Sequence, residues 1–247
     1  MTARPVPLTA GQPGRPRADG PARLLADITA RIGQVVASVT GIRDVVAAIA
    51  GQARPAGRPL CHADLAPVRQ AAAQVLAAHR GFVAGAGAVL APGVVADAAR
   101  CLEWWWATPA GEVSKLAVDL DPDSAECYDY TATPWYREPE RTGAAAVTGP
   151  YVDYICTREY TFTVSVPVPA GRRFAGVAGA DILAEEVERL ALPALARLPQ
   201  AAALVSGDGR VIASNTSSLL PGSILPSEQA RPAACHPALP WRLVSPG

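Results

Sequence analysis

The chain has 247 residues, half of them hydrophobic, and its equal numbers of basic and acidic side chains give a formal net charge of zero. This length is enough for one domain or two small ones with a sizeable core. The lack of a basic excess argues against a nucleic-acid-binding protein, which would carry a positively charged face.

Cysteine usage predicts a reducing compartment. The five cysteines, Cys61, Cys101, Cys127, Cys156 and Cys235, form no C-x-x-C pair. Neither a disulfide framework nor a zinc site fits this spacing, and unpaired thiols are typical of a reducing environment. The N-terminus has no apolar run of signal-peptide length, and no run of about 18 uninterrupted apolar residues occurs. We therefore expect a soluble, cytoplasmic protein with no membrane contact, no metal and no cofactor.

The first predicted element is a long helix. Residues 1–20 are rich in Pro, Gly and Arg, which predicts a flexible arm, and a helix is then predicted over 21–52 with Pro21 in its first turn. Its apolar residues are alternately three and four positions apart: Leu25, Ile28, Ile32, Val35, Val39, Ile42, Val46 and Ile49. This spacing is typical of a coiled-coil seam or of a long packed helix. The seam over 25–49 either packs against its own domain or forms a homodimer.

Shorter elements follow. After a break at 51–60, an alanine-rich helix is predicted at about 64–80. Apolar runs bounded by Gly and Pro then predict strands at 81–92, 101–108 and 114–122.

A helix start and a strand are the clearest local patterns. Thr133 before Pro134 is typical of an N-cap followed by the first helical position, which predicts a short helix through Trp135 and Tyr136. The segment 160–168, YTFTVSVPV, alternates apolar and mostly polar residues. This period of two predicts a strand with one buried face and one more polar face.

The remaining elements complete an α+β fold. A strand is predicted at 173–182, a helix over about 183–198, and a hairpin at 202–215 around a Gly-Asp-Gly turn. The prediction is a long N-terminal helix packed on a mostly antiparallel sheet, followed by a smaller second sheet. The larger subdomain would span 53–198 and the smaller one 199–247.

The tyrosines are unusually clustered. All six lie between residues 128 and 160, together with Asp153. If the chain is extended there, Tyr151 and Asp153 share one face, and a carboxylate beside an aromatic ring attracts a cation. Asp181 is expected at a strand end, where pockets often open. Each residue has a plainer alternative: core packing for Tyr151, a loop cap for Asp153 and a helix N-cap for Asp181.

Three stretches resemble a known family. YDYTATPWY at 128–136, GPYVD at 149–153 and FAGVAGADI at 174–182 resemble the ligand-binding core of double Cache domains, the extracytoplasmic sensor modules of many bacterial receptors. The resemblance covers roughly residues 22–247 in the order of elements and is most specific between 128 and 182. It implies a PAS-like sheet, and it implies that the long helix is a dimerisation element.

The resemblance also implies a binding site. In the amino-acid-sensing branch of that family, two aspartates and several aromatic residues hold the ligand's ammonium group, and an arginine helps to bind its carboxylate. The matching residues here are Tyr128, Trp135, Tyr136, Tyr151, Asp153 and Asp181. Thr133 stands at the position of the arginine. Family members without that arginine resemble amine sensors, so the implied ligand is a biogenic or quaternary amine, unless Arg137 or Arg158 replaces the missing side chain.

A run of three tryptophans adds two candidate ligand-binding residues. On a strand, Trp104 and Trp106 point to one side and Trp105 to the other. That side either lines the aromatic pocket or packs in the core. Because the chain contains no kinase, cyclase or methyl-accepting segment, we expect a stand-alone sensor whose downstream protein partner is unknown.

Two other classes of function remain. An enzyme would use Cys156 with Asp153 and one of the three histidines, but no nucleophile elbow, phosphate-binding loop or zinc-protease motif occurs, so we expect no enzymatic activity. A protein-interaction module without a small ligand predicts a filled aromatic core and a function indifferent to Asp153→Ala. The sensor interpretation predicts a cavity where Asp153 and Asp181 converge.

Overall fold

The structure is a computed structural model that describes residues 20–53, 58–108, 111–155, 159–226, 230–236 and 239–246. Its helices are α1 (Gly20–Ala53), α2 (Pro67–Ala78), α3 (Pro134–Thr142) and α4 (Ala184–Leu195), with short 3₁₀ turns at His62–Leu65 and Tyr130–Ala132. Its strands are β1 (Val83–Leu90), β2 (Cys101–Ala107), β3 (Val113–Lys115), β4 (Ala146–Val152), β5 (Tyr160–Ala170), β6 (Arg173–Leu183), β7 (Ala203–Val205), β8 (Val211–Ser214), β9 (Ala230–His236) and β10 (Leu239–Pro246). The arm predicted for residues 1–20 lies outside the described residues, apart from Gly20.

Two antiparallel sheets confirm the α+β prediction. The larger sheet has six strands in the order β3-β2-β1-β6-β5-β4, and the smaller has four in the order β8-β7-β10-β9. The predicted hairpin at 202–215 is the β7–β8 pair, whereas β9 and β10 were not predicted individually.

The apolar seam of α1 is buried within the chain's own fold. Seven of the eight seam residues are buried, and Ile49 packs against the same core at partial burial. The helix lies on β5 and β6 of the larger sheet and reaches β9 and β10 of the smaller one. The homodimer stays a prediction, and it would need a surface other than this seam.

One core joins the two sheets. Leu204, Trp241 and Leu243 of the smaller sheet belong to the same buried cluster as α1 and the larger sheet. The rings of Phe162 on β5 and Trp241 on β10 have centroids 4.5 Å apart. The predicted subdomain boundary between residues 198 and 199 stays a prediction. The two sheets on either side of it share this core.

The strand predicted at 114–122 ends early, at Lys115. Downstream, the backbone amide of Asp121 donates to the Asp119 carboxylate at 2.9 Å, and that of Asp123 donates to the Asp121 carboxylate at 3.0 Å. Such local side-chain acceptors compete with a sheet for backbone donors. The alternating aspartates therefore form turns in place of the rest of the strand.

The polar face of β5 is buried, not exposed to solvent. Phe162 and Val164 point into the helix-covered core, as the period of two predicts. Thr161, Thr163 and Ser165 on the other face are also buried, because α3 packs across β4, β5 and β6 on that side. A buried polar strip under a helix is where the fold places its candidate site.

Candidate functional site

A small cavity of about 30 Å³ lies between the larger sheet and the segment around α3. Its lining residues are Leu102, Trp104, Leu116, Tyr128, Trp135, Tyr151, Asp153, Ile155, Thr163 and Asp181. Six of the eight residues singled out from the sequence are therefore brought together. The two carboxylates converge on one cavity, as the sensor interpretation requires.

Asp181 is the buried end of a hydrogen-bonded chain. It lies in β6 with 5% of its surface exposed, and the N-cap position of α4 falls to Leu183, so the helix-cap alternative is wrong. The Thr163 hydroxyl donates to Asp181 Oδ1 at 2.7 Å, and Trp104 Nε1 donates to Oδ2 at 3.2 Å. Thr163 also hydrogen-bonds the Tyr151 hydroxyl. Because a threonine hydroxyl has one hydrogen, Tyr151 must be the donor in that bond.

The environment of Asp181 disfavours its charge. The pKa of this carboxyl is raised to about 7, chiefly by burial and next by the neighbouring charge of Asp153, against the lowering effect of the two donors Thr163 and Trp104. Burial also raises the pKa of the Tyr151 hydroxyl, with Asp181 as the next cause. Among the described residues, no basic side chain lies within ion-pair distance of Asp181.

Two glycines make room for the Trp104 indole. A Cβ atom at Gly85 would lie 2.7 Å from Trp104 Nε1 and 2.9 Å from Asp181 Oδ2. A Cβ atom at Gly179 would lie 2.9 Å from Trp104 Cη2. The lack of a side chain at Gly85 and Gly179 therefore leaves the space in which the Trp104 indole reaches Asp181.

Aromatic faces surround the rest of the cavity. The rings of Trp104 and Trp135 have centroids 6.2 Å apart and are tilted by 40°. Tyr128 and Tyr151 complete this aromatic wall, while Leu102 and other aliphatic residues close the remainder. The arrangement combines ring faces with carboxylates, which is suited to a desolvated cation.

Two of the candidate residues lie elsewhere. Tyr136 is buried between Tyr130 and Phe174, with ring centroids at 5.6 and 5.4 Å, because neighbouring positions on a helix point about 100° apart and Trp135 already faces the cavity. Trp106 lies two residues further along β2 and lines a separate surface cleft. Both therefore contribute to packing outside the cavity.

Sequence reasoning missed Thr163 and the aliphatic lining residues. The period of two in 160–168 placed Thr163 on the polar face, but the sequence does not reveal the register that sets it opposite Asp181. Leu102, Leu116 and Ile155 carry no signal that distinguishes them from ordinary core residues.

A larger cleft of about 810 Å³ adjoins the cavity. It shares Tyr128, Trp135, Tyr151, Asp153 and Ile155 with the cavity lining. Its other walls come from α3, from β4 and from the smaller sheet, and we call it the outer cleft. Thr133, at the position of the missing arginine, lines this outer cleft and donates its hydroxyl hydrogen to the Tyr130 carbonyl at 2.6 Å.

Of the two arginines that could replace the missing side chain, Arg137 lies at the outer cleft. Its Nε donates to the Thr131 carbonyl at 3.1 Å. Arg158 lies outside the described residues, as does Cys156 of the enzyme alternative.

Comparison with known proteins supports a sensor fold. Residues 113–189 match the family model of the methyl-accepting chemotaxis protein-like first PDC sensor domain, which covers less than half of the chain. No curated protein matches the chain.

Solved structures resemble the chain over most of its length. The extracellular domain of the putative histidine kinase soHK1S-Z6 is 15% identical with a TM-score of 0.64, over 92% of this chain and 91% of that one. The ligand-binding domain of Campylobacter jejuni chemoreceptor Tlp3, in complex with L-norvaline, is 16% identical with a TM-score of 0.55, over 82% and 71%. That of Pseudomonas fluorescens chemoreceptor CtaA, in complex with L-valine, is 15% identical with a TM-score of 0.53, over 92% and 93%. The chain thus has the Cache-type fold of PDC sensor domains.

The predicted cytoplasmic location is wrong. The soHK1S-Z6 structure is an extracellular domain, and the chemoreceptor structures are ligand-binding domains of the same fold, which points to an extracytoplasmic location. The free thiols and the lack of an uninterrupted apolar run therefore did not indicate the cellular location correctly. Among the described residues, α1 alone is long and apolar enough to cross a membrane, a test that the core helix of a soluble protein also passes.

Proposed function

We propose that the chain is a sensor domain that binds a small cationic amine in the cavity beside Asp181. The observation that carries this proposal is a buried carboxyl with neutral hydrogen-bond partners, Thr163 and Trp104, next to a second acid, Asp153. The described lining of the cavity contains no basic residue. A bound ammonium group would give the Asp181 carboxylate a cationic partner, and the ring faces would add cation–π attraction of about 0.5–2 kcal/mol.

The shape and polarity of the cavity favour a primary ammonium group over a quaternary one. A primary ammonium has three N–H donors, and the cavity offers acceptors on Asp181, Asp153 and the Tyr151 oxygen, whose own hydrogen goes to Thr163. A quaternary ammonium has no donor and carries additional methyl groups. A cavity of about 30 Å³ has little room for them.

Amino-acid binding is the second candidate, because Arg137 lines the outer cleft that adjoins the cavity. The Tlp3 and CtaA structures are themselves complexes with amino acids. The protein-interaction alternative predicts a filled aromatic core, and the cavity beside Asp181 counts against it. The homodimer and the downstream protein partner remain predictions.

A thermal-shift and calorimetry panel tests the proposal, with primary amines, quaternary ammonium compounds and proteinogenic amino acids as ligands. At about 100 times its Kd, a ligand that binds only the folded state adds about 2.7 kcal/mol to the free energy of unfolding. We expect primary amines to raise Tm and Asp153→Ala to abolish the shift. The matched control is Asp44→Ala, which removes an exposed aspartate of α1, a helix that contributes no residue to the cavity or to the outer cleft.

The outcomes separate the candidates. Larger shifts with amino acids than with amines, lost on Arg137→Gln, would replace the amine by an amino acid. No shift with any ligand would overturn the sensor proposal and favour the interaction module.

A further inference from the structure

We propose that the outer cleft binds the apolar body of the amine, so that one ligand contacts both sheets. This inference rests on the proposed function, because it takes the ammonium group as bound beside Asp181. It assigns to the smaller sheet a role in ligand recognition.

The size of the cavity requires a second compartment. One water molecule needs about 10–15 Å³ of cavity volume, so a cavity of about 30 Å³ accommodates an ammonium group and little more. Ligand sites typically enclose about 300–1,000 Å³. The outer cleft, at about 810 Å³, falls within that range.

The two compartments adjoin at the acidic end. Tyr128, Trp135, Tyr151, Asp153 and Ile155 line both the cavity and the outer cleft. A ligand whose ammonium group contacts Asp153 from the cavity side therefore continues past these residues into the outer cleft. The acids fix the ligand's orientation, with its charged end innermost.

The outer cleft has an apolar surface that lacks cover in the described part of the chain. Val152, Tyr154 and Ile155 are 38%, 77% and 41% exposed, so three large apolar side chains within four positions are exposed. Pro150 and Val147 extend this surface along β4. Apolar surface beside a buried charge site matches an amine with an alkyl or aryl body.

The opposite wall belongs to the smaller sheet. Gly207, Asp208 and Arg210 line the outer cleft from the β7–β8 turn, and Pro240 and Trp241 line it from β10. A ligand body placed there touches both sheets at once.

This turn is held in place before any ligand binds. Arg210 Nη1 donates to the Gly222 carbonyl at 2.7 Å, and the Ser206 hydroxyl donates to the Asp208 carboxylate. The β10 side of the wall is fixed by the packing of Trp241 on Phe162. The wall is therefore preorganised, and ligand binding would link the smaller sheet to the site at Asp181.

An n-alkylamine series from ethylamine to hexylamine tests this inference by isothermal titration calorimetry. If each added methylene is buried in the outer cleft, Kd should fall about fourfold per methylene. Hydrogen exchange should slow in β7, β8 and β10 with hexylamine more than with ethylamine, each at a saturating concentration.

Two variants locate the apolar body. Tyr154→Ala truncates the larger-sheet wall and Pro240→Ala the smaller-sheet wall, and neither residue lines the inner cavity. Each should weaken hexylamine binding about fivefold and leave ethylamine binding unchanged. Leu220→Ala is the matched control, since this leucine is 63% exposed and lies outside both compartments. Circular dichroism confirms that each variant is folded.

Failure of this inference differs from failure of the proposed function. If ethylamine and hexylamine bind equally, or if Tyr154→Ala and Pro240→Ala leave hexylamine binding unchanged, the outer cleft does not hold the ligand body. If no amine binds at all, the proposed function itself is wrong, and this inference falls with it.

Discussion

Two buried carboxylates lie on opposite faces of the larger sheet, and their surroundings differ. Glu103 and Asp181 are the two buried acidic residues of the described chain, 4% and 5% exposed. Glu103 faces the α2 side, where Lys115 Nζ and His62 Nε2 both lie 2.5 Å from its Oε1. Asp181 faces the cavity, where its partners are the neutral Thr163 and Trp104.

The difference separates a structural acid from a candidate binding acid. Lys115, the only lysine of the chain, supplies Glu103 with a resident cation. Asp181 instead has a second acid nearby, and its pKa is raised by burial and by that charge. Because a buried charge needs a partner, Asp181 is the one that an incoming cation would satisfy.

The largest expected effect comes from Asp181→Asn. Asparagine can accept from Trp104 through its oxygen and donate to Thr163 through its amide, so the fold should be retained. We expect amine affinity to fall at least about 100-fold, measured by calorimetry, because the charge at the centre of the site is lost. We also expect the free domain to gain roughly 2–4 kcal/mol of unfolding free energy at pH 8 in denaturant titrations, since ionised Asp181 opposes folding. A destabilised variant that still binds amines would contradict the contrast with Glu103.

The pH dependence of binding is the next largest effect. The pKa of Asp181 is about 7 in the folded state and 3.8 as its ordinary value, so the ionised form becomes scarcer as pH falls below 7. The Kd of an amine should therefore rise about tenfold per pH unit below 7 and level off above it. Calorimetry between pH 5 and pH 8 measures this slope. A Kd independent of pH would place the ammonium group away from Asp181.

The raised pKa of Asp181 also makes the free energy of unfolding depend on pH, with a contribution that decreases as pH rises. The folded state binds a proton at Asp181 that the unfolded state releases, so this contribution to stability is complete below about pH 4 and is lost as pH rises to about 7. The difference in unfolding free energy between Asp181→Asn and the parent chain should therefore grow over that window.

The smallest effect is expected from Glu103→Gln. Glutamine keeps an acceptor for Lys115, and the side chains of Lys115 and His62 are 44% and 48% exposed, so solvent screens the lost charge. We expect a loss of about 1 kcal/mol in unfolding free energy and no change in amine affinity beyond twofold. Amine binding as sensitive to Glu103→Gln as to Asp181→Asn would remove the distinction between the two acids.

Local patterns were enough to predict most elements and several site residues. The alternating three- and four-residue spacing of α1 predicted a helix, and its seam is buried because apolar periodicity reflects which face meets the core. Thr133 and Pro134 marked the start of α3. Tyr151 and Asp153 were expected on one side of the chain from strand alternation, and both residues line the cavity.

The clustering of tyrosines was a less reliable guide. Tyr128 and Tyr151 line the cavity, but Tyr130 is core, with its hydroxyl donating to the Leu90 carbonyl at 2.6 Å, and Tyr154 is 77% exposed. Proximity in sequence did not distinguish these roles, because each depends on which neighbouring element covers the residue.

The sequence by itself determined the α+β class, the long helix and the acidic and aromatic character of the candidate site, because these follow from residue types and short periodicities. Only the tertiary structure decided that the α1 seam is filled by the chain's own sheets, that Thr163 lies opposite Asp181, and that the outer cleft joins the two sheets. The physical reason is that strand register and layer packing arise from contacts between residues far apart in the chain, such as Trp104 and Asp181. No local sequence pattern encodes such contacts between distant parts of the chain.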